Sequence, residues 1–193
     1  MIIANTSVRL FTLFLLSACL FAQDQRCPAE GSTANEAIVF LRNAKNDSSV
    51  PDACIAAAIR SLQYEHSDQV VNILTMFLDY RRPTASLEVA TGSTSEMYPA
   101  VSSLFAIGKQ SLPALIKVVI ANSSTKVAQD NAVRTIMLIH RDNPSAGIRF
   151  LLKEAGQSQD AGERSLLRQA ANSGLRWCHG KHRAECDSAL SSQ

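Results

Sequence analysis

The stretch YPAVSSLFAIGKQSLPALIKVVIANSSTKVAQDNAVRTIMLIHRDNPSAGIRFLLKEAG, residues 98–156, reads as one unit written twice. Each copy has an apolar helical stripe, a tight turn and a second stripe. Displaced by 32 residues, the first stripe falls on the third: Ala100 on Ala132, Val101 on Val133, Leu104 on Ile136, Phe105 on Met137 and Ile107 on Ile139. A lone pair of helices cannot bury its apolar side. Recurrence at this period therefore predicts helical hairpins stacked in series, an α-solenoid. The expected fold class is all-α, a short α-α superhelix of about three to four helical hairpins.

Punctuation inside the stretch agrees with that division. Gly108 sits where a C-cap glycine adopts positive φ. Ser111 is placed to cap the next helix, with Pro113 in its first turn. Leu112, Leu115, Ile116 and Val119 then share one face. Asp142 or Asn143 caps the last helix, Pro144 starts it, Ile148, Leu151 and Leu152 pack, and Gly156 ends it.

A fainter copy lies upstream. At a displacement of 45, Ile55 falls on Ala100, Ala56 on Val101, Ile59 on Leu104 and Leu62 on Ile107. The second stripe follows, with Val70, Val71, Ile73 and Leu74 falling on Leu115, Ile116, Val118 and Val119. The extra residues gather in 81–96, a polar insertion loop. Long loops in compact domains are often functional or disordered, which makes this one a candidate binding loop.

The flanks carry the same grammar. Thr33-Ala34-Asn35-Glu36 matches a capping box. The helix behind it places Ala37, Ile38, Leu41 and Ala44 on one face. Pro51 suits the first turn of the next helix, and Ser67 or Asp68 caps the one after. Beyond the central stretch, Leu166, Leu167, Ala170 and Ala171 form another stripe, stopped by Gly174. Trp177, the only tryptophan, is placed to cover the open end of the stack. The remainder, 179–193, reads as a short, disulfide-tied C-terminal tail.

Val101-Ser102-Ser103-Leu104-Phe105-Ala106-Ile107-Gly108, followed by Leu112-Pro113-Ala114-Leu115-Ile116, resembles a HEAT repeat. It is most similar to the short HEAT-like repeats described in phycobiliprotein lyases, with Leu-x-x-Ile-Gly, a turn, and Leu-Pro-Ala-Leu. The chain departs from that pattern twice: Ala128-Gln129 stands where Val-Arg is common, and His140 replaces the glycine after Ile139. The resemblance implies binding and scaffolding, and it brings no catalytic residues to carry over.

Compartment is read from the N-terminus. Met1 to Arg9 holds one positive charge, Leu10 to Phe21 is largely apolar, and Ala22 precedes Gln23-Asp24-Gln25. This is the layout of a secretory signal peptide over residues 1–22. The apolar run is short of the roughly 20 residues that span a bilayer. Two cut sites compete. Cleavage after Ala22 gives an exported soluble chain with a repeat domain over 23–178. Leu16-Ser17-Ala18-Cys19 instead resembles a bacterial lipobox, which makes Cys19 a lipid-attachment site and the protein an envelope lipoprotein. Either way the mature chain is not expected to insert in a membrane.

The full chain has a net charge of +2, and the leader takes only Arg9 with it. That is no footprint for nucleic acid, which needs a basic stripe. Four cysteines remain beyond Cys19. In an exported chain, Cys27, Cys54, Cys178 and Cys186 suggest two disulfides, with three pairings open. A solenoid holds its ends apart, which favours Cys27–Cys54 and Cys178–Cys186.

Chemistry has few footholds. Cys178, His179, His182 and Cys186 have the donor types of a tetrahedral zinc site. A disulfide between the two cysteines removes the thiolates that such a site needs. His66 lies in a turn and His140 at a helix end, and no nucleophile-elbow motif accompanies them. No enzyme activity and no cofactor are expected. Tyr80, Arg81, Arg82 and Glu96 are the candidate partner-binding residues, an aromatic and charges at the two ends of the loop. The expected function is a non-catalytic interaction or scaffold module in the cell envelope, with an unidentified protein or peptide as partner. The alternative is a metal-binding envelope protein using the C-terminal Cys/His cluster.

Overall fold

The computed structural model describes residues 27–28, 31–83 and 97–191. The signal peptide, Cys19, Glu96 and most of the insertion loop fall outside the described residues. Among those described, every regular element is helical: α1 Ala34–Ala44, α2 Asp52–Ser61, α3 Asp68–Thr75, α4 Pro99–Ile107, α5 Leu112–Ile120, α6 Lys126–Ile139, α7 Pro144–Gln157, α8 Ala161–Gly174 and α9 Arg183–Ser191. Short 3-10 turns extend α2, α4 and α8 and precede α9.

Local chemistry sets most of the helix ends. The backbone N–H of Thr33 donates to the Glu36 carboxylate at 2.8 Å, and the Thr33 hydroxyl accepts from the Glu36 N–H, so the capping box is complete. Ser67, Thr125, Asn143 and Asp160 cap α3, α6, α7 and α8. Each such cap satisfies one of the N–H groups that a helix start leaves unpaired, worth about 1 kcal/mol. Gly108 has φ of 78°, a conformation side-chain-bearing residues rarely adopt, and here α4 gives way to the turn before α5. By length and composition alone, Pro99–Ile120 is apolar enough to cross a membrane. Gly108 breaks it into two helices whose Ala100, Val101, Leu104, Leu115 and Val119 are buried in the protein core.

Two expected ends differ. Ser111 does not cap α5; its own backbone is already helical, and its buried hydroxyl donates back to the carbonyls of Leu104 and Gly108. Gly156 does not stop α7, which continues to Gln157 because nothing there demands a positive φ.

Packing follows chain order through most of the protein. Helix α1 lies on α2 and α3; α2 packs on α4, α4 on α6 and α6 on α8, while α3 packs on α5. Hydrogen bonds cross these seams. Ser103 Oγ donates to the Ile59 carbonyl at 3.0 Å, and Asn131 Nδ2 to the Leu78 carbonyl at 2.7 Å, both buried. Gln110 Nε2 donates to the His66 carbonyl at 2.5 Å, and the Thr125 hydroxyl to Asp79 at 3.0 Å. The order then changes. Helix α5 meets α6 and α8 extensively, whereas α7 packs on α6, α8 and α9.

Helix α6 is consequently surrounded by α4, α5, α7 and α8. Its Ala132, Ile136 and Met137 are at most 2 % exposed. Full burial of a side chain such as Ile136 is worth about 1.5–3 kcal/mol. Met137 fits because both neighbours yield: ideal Cβ atoms at Gly147 and Gly174 would lie 2.9 and 3.2 Å from its sulfur. These two glycines let α7 and α8 close on the thioether.

Both ends are tied. Cys27 is joined to Cys54 and Cys178 to Cys186, with Cα separations of 5.0 and 6.5 Å, the pairing expected from the sequence. Such bonds fit an oxidising compartment. The C-terminal stretch, expected as a tail, is more than that. It forms α9, which packs on α7 and buries Cys186 and Ala189. Trp177 is half-buried against the core, and beyond it the chain continues into α9.

Candidate partner-binding surface

The residues singled out at the insertion loop are only partly available. The Tyr80 hydroxyl sits 3.0 Å from both the Asp52 carbonyl and an Asp52 carboxylate oxygen, where it donates, and the ring meets Phe77 edge-on. Burial, then Asp52, pushes the phenol above its ordinary range. Tyr80 thus closes the end of α3 onto the start of α2. Arg81 is exposed, with one guanidinium nitrogen 3.9 Å from the Met97 sulfur. The Arg82 backbone N–H donates to the Met97 carbonyl at 2.9 Å, drawing the two ends of the loop together. Glu96 lies outside the described residues.

At the C-terminus the two sulfurs of the Cys/His cluster are bonded to each other and buried. His179 is exposed, and His182 Nδ1 is 3.6 Å from Glu185. Among the described residues, no three His, Cys, Asp or Glu side chains gather as metal ligands. A depression of about 400 Å³ opens where the end of α5 meets the start of α8, lined by Ile120, Asn122, Asp160 and Glu163 among others. Its carboxylates are already used: Asp160 caps α8, and Glu163 accepts from the Ser158 hydroxyl at 2.7 Å.

A different surface stands out along α6. With α4, α5, α7 and α8 around it, α6 leaves its first residues, Gln129 and Ile139 partly open, together with a line through Val127, Asp130, Arg134 and Leu138 that Arg141 follows past its end. The positions on that line recur every three or four residues and so share one side of the helix. Two arginines on this line lie over aromatic rings. The Arg134 guanidinium is 5.1 Å from the Trp177 ring centre, and that of Arg141 is 5.2 Å from Phe105. Trp177 comes from the turn after α8 and Phe105 from α4, so three segments build the strip. Burial lowers the Arg134 pKa, opposed only in part by Tyr98 at the start of α4.

The charges on the strip differ in how they are matched. Asp130 is 3.1 Å from Lys126 and 3.9 Å from Arg176. Arg141 lies 3.8 Å from an almost fully exposed Asp142, a contact worth little in water. Arg134 has no carboxylate partner among the described residues, and its Nε is sealed from solvent without an acceptor. Sequence reasoning missed this group. An arginine on a helix normally reads as solvated, and Trp177 is remote in the chain. No protein-family model, curated protein or solved structure matches this chain.

Proposed function

We propose that this chain is an exported, non-catalytic protein-interaction module of the bacterial cell envelope, built as a short HEAT-like superhelix. The serial contacts α2–α4–α6 and α3–α5 support the superhelical reading, and the two end-tying disulfides support export. The observation that carries the functional reading is the strip along α6. Trp, Tyr and Arg dominate the residues at which binding energy concentrates in protein interfaces. Here Tyr98, Trp177, Arg134 and Arg141 stand together, with Phe105, on helices whose other sides are consumed by the core.

Photo-crosslinking in intact cells tests the proposal. A crosslinking amino acid at Ala106 or Val127, exposed beside the strip, is expected to capture a discrete protein partner. The same group at Lys117 or Lys153, exposed on α5 and α7, is expected to capture none. Equal labelling from all four positions, or none from any, removes the interaction reading. Sequencing the mature N-terminus tests export separately: it should begin at Gln23, or at a lipid-modified Cys19, and a chain still carrying Met1 contradicts it.

A further inference from the structure

The strip also specifies what kind of partner it takes. Arg134 lies over Trp177, and its Nε is shut off from water. Among the described residues the two terminal nitrogens of the guanidinium have no hydrogen-bond partner, and only the Nε is sealed. A guanidinium held in place by a ring presents its in-plane donors as a preset fork, and a carboxylate fits a fork better than any other protein group. The Nε, closed to solvent, takes no part in this; the outward end of the guanidinium is what an incoming carboxylate would meet.

Arg141 repeats the arrangement over Phe105. It follows Arg134 by seven residues, in the turn just past the end of α6; at the helical rise that separation corresponds to about 10 Å of backbone. A polyproline II segment advances about 3.1 Å per residue with three residues per turn. Carboxylates three residues apart in such a segment match that spacing on one side. The single carboxylate of the α6 line, Asp130, is held by Lys126 and Arg176, so it does not cancel Arg134.

We propose that Arg134 and Arg141, seated on Trp177 and Phe105, form a docking strip for an extended acidic peptide segment with carboxylates three residues apart. This rests on the interaction-module reading and adds the chemistry of the partner. Aromatic rings beside each cation provide apolar contact for the peptide between its acidic groups.

Trp177 is the only tryptophan and lies under one of the two cations, so its fluorescence reports occupancy directly. The probe is a synthetic Glu-Pro-Pro repeat peptide of about a dozen residues, which holds the required spacing. Titration into the full mature protein is expected to change Trp177 emission saturably and to weaken with added salt. A Lys-Pro-Pro peptide should leave emission unchanged. Arg134→Met should weaken binding at least tenfold, Arg134→Lys should recover only part of it because an ammonium lacks the fork, and Lys117→Met should bind as the parent does. Circular dichroism confirms that each variant is folded, and peptide binding by fluorescence anisotropy gives a readout that does not depend on the tryptophan. Equal affinity of the parent and a folded Arg134→Met chain overturns the proposal, as does equal binding of the acidic and basic peptides. Binding to anionic lipid vesicles but not to the peptide overturns it too. If crosslinking from Ala106 captures a partner while the acidic peptide fails, the module stands and its acidic specificity falls. If the peptide binds and crosslinking captures nothing, the chemistry stands and the cellular role falls.

Discussion

Gly147→Ala probes the point at which α6, α7 and α8 are locked together. A Cβ at Gly147 would lie 2.9 Å from the Met137 sulfur and 3.3 Å from His140 Cβ. The thioether has little room to retreat, since a Cβ at Gly174 would already be 3.2 Å away and Met137 is only 2 % exposed. Overpacking of a close-packed core costs about 1–3 kcal/mol. Alanine returns about 1 kcal/mol through helix propensity. The net expectation is a loss of about 0–2 kcal/mol, which lowers the melting temperature by up to about 8 °C for a domain of this size. Urea unfolding followed by far-UV circular dichroism measures it.

A second background makes the reasoning refutable. Met137→Ala alone should cost about 2–5 kcal/mol through the cavity it leaves. Adding Gly147→Ala there should be neutral, or should stabilise by up to about 1 kcal/mol, because the new methyl enters vacated space. Gly156→Ala, on the same helix with open space around it, should stabilise in either background. If Gly147→Ala stabilises the parent, or costs the same with and without Met137, the proposed contact does not govern the seam.

Three further outcomes follow from other contacts. Asn131→Leu should destabilise by about 1–3 kcal/mol in urea unfolding, because it strands the buried Leu78 carbonyl that Asn131 now satisfies. Under non-reducing conditions the intact mass should be four hydrogens below the reduced value; opening the Cys27–Cys54 loop should then cost about 3.5 kcal/mol and the shorter Cys178–Cys186 loop about 2.5 kcal/mol, from loop lengths of 27 and 8. Burial, with Lys109 assisting, holds His140 below the ordinary histidine range, so the unfolded chain takes up a proton more readily. Stability should be flat above pH about 6.5 and decline below it, and His140→Gln should remove that part of the decline.

What the sequence disclosed, and what it hid, divides by the range of the interaction. The stripes Ala37-Ile38-Leu41, Ile55-Ile59-Leu62 and Leu112-Leu115-Ile116 are all buried, because helical periodicity states directly which side faces inward. The capping box at Thr33 and the positive φ of Gly108 were equally local and equally readable. Helix α9 was hidden because Cys186, Ala189 and Leu190 are its few inward residues in an otherwise polar run; the disulfide and α7 hold it, not its own stripe. The meeting of α5 with α8 was hidden because a repeat period names the units without naming their neighbours. Tyr80 was a partner-binding candidate from its place beside the loop; the bond from its hydroxyl to Asp52, 28 residues earlier, could not be read from that place. The Arg134–Trp177 contact joins segments that no local pattern connects.

The strip exists only if successive helical pairs lie side by side, so methyl NOE spectroscopy on Ile-, Leu- and Val-labelled protein is the most direct test. Strong cross-peaks are predicted between methyls of α2 and α4, and between those of α4 and α6, with those joining α2 to α6 weak or missing. Cross-peaks between α2 and α6 as strong as those between α2 and α4, or no contact between α4 and α6, would contradict the serial packing on which the binding strip depends.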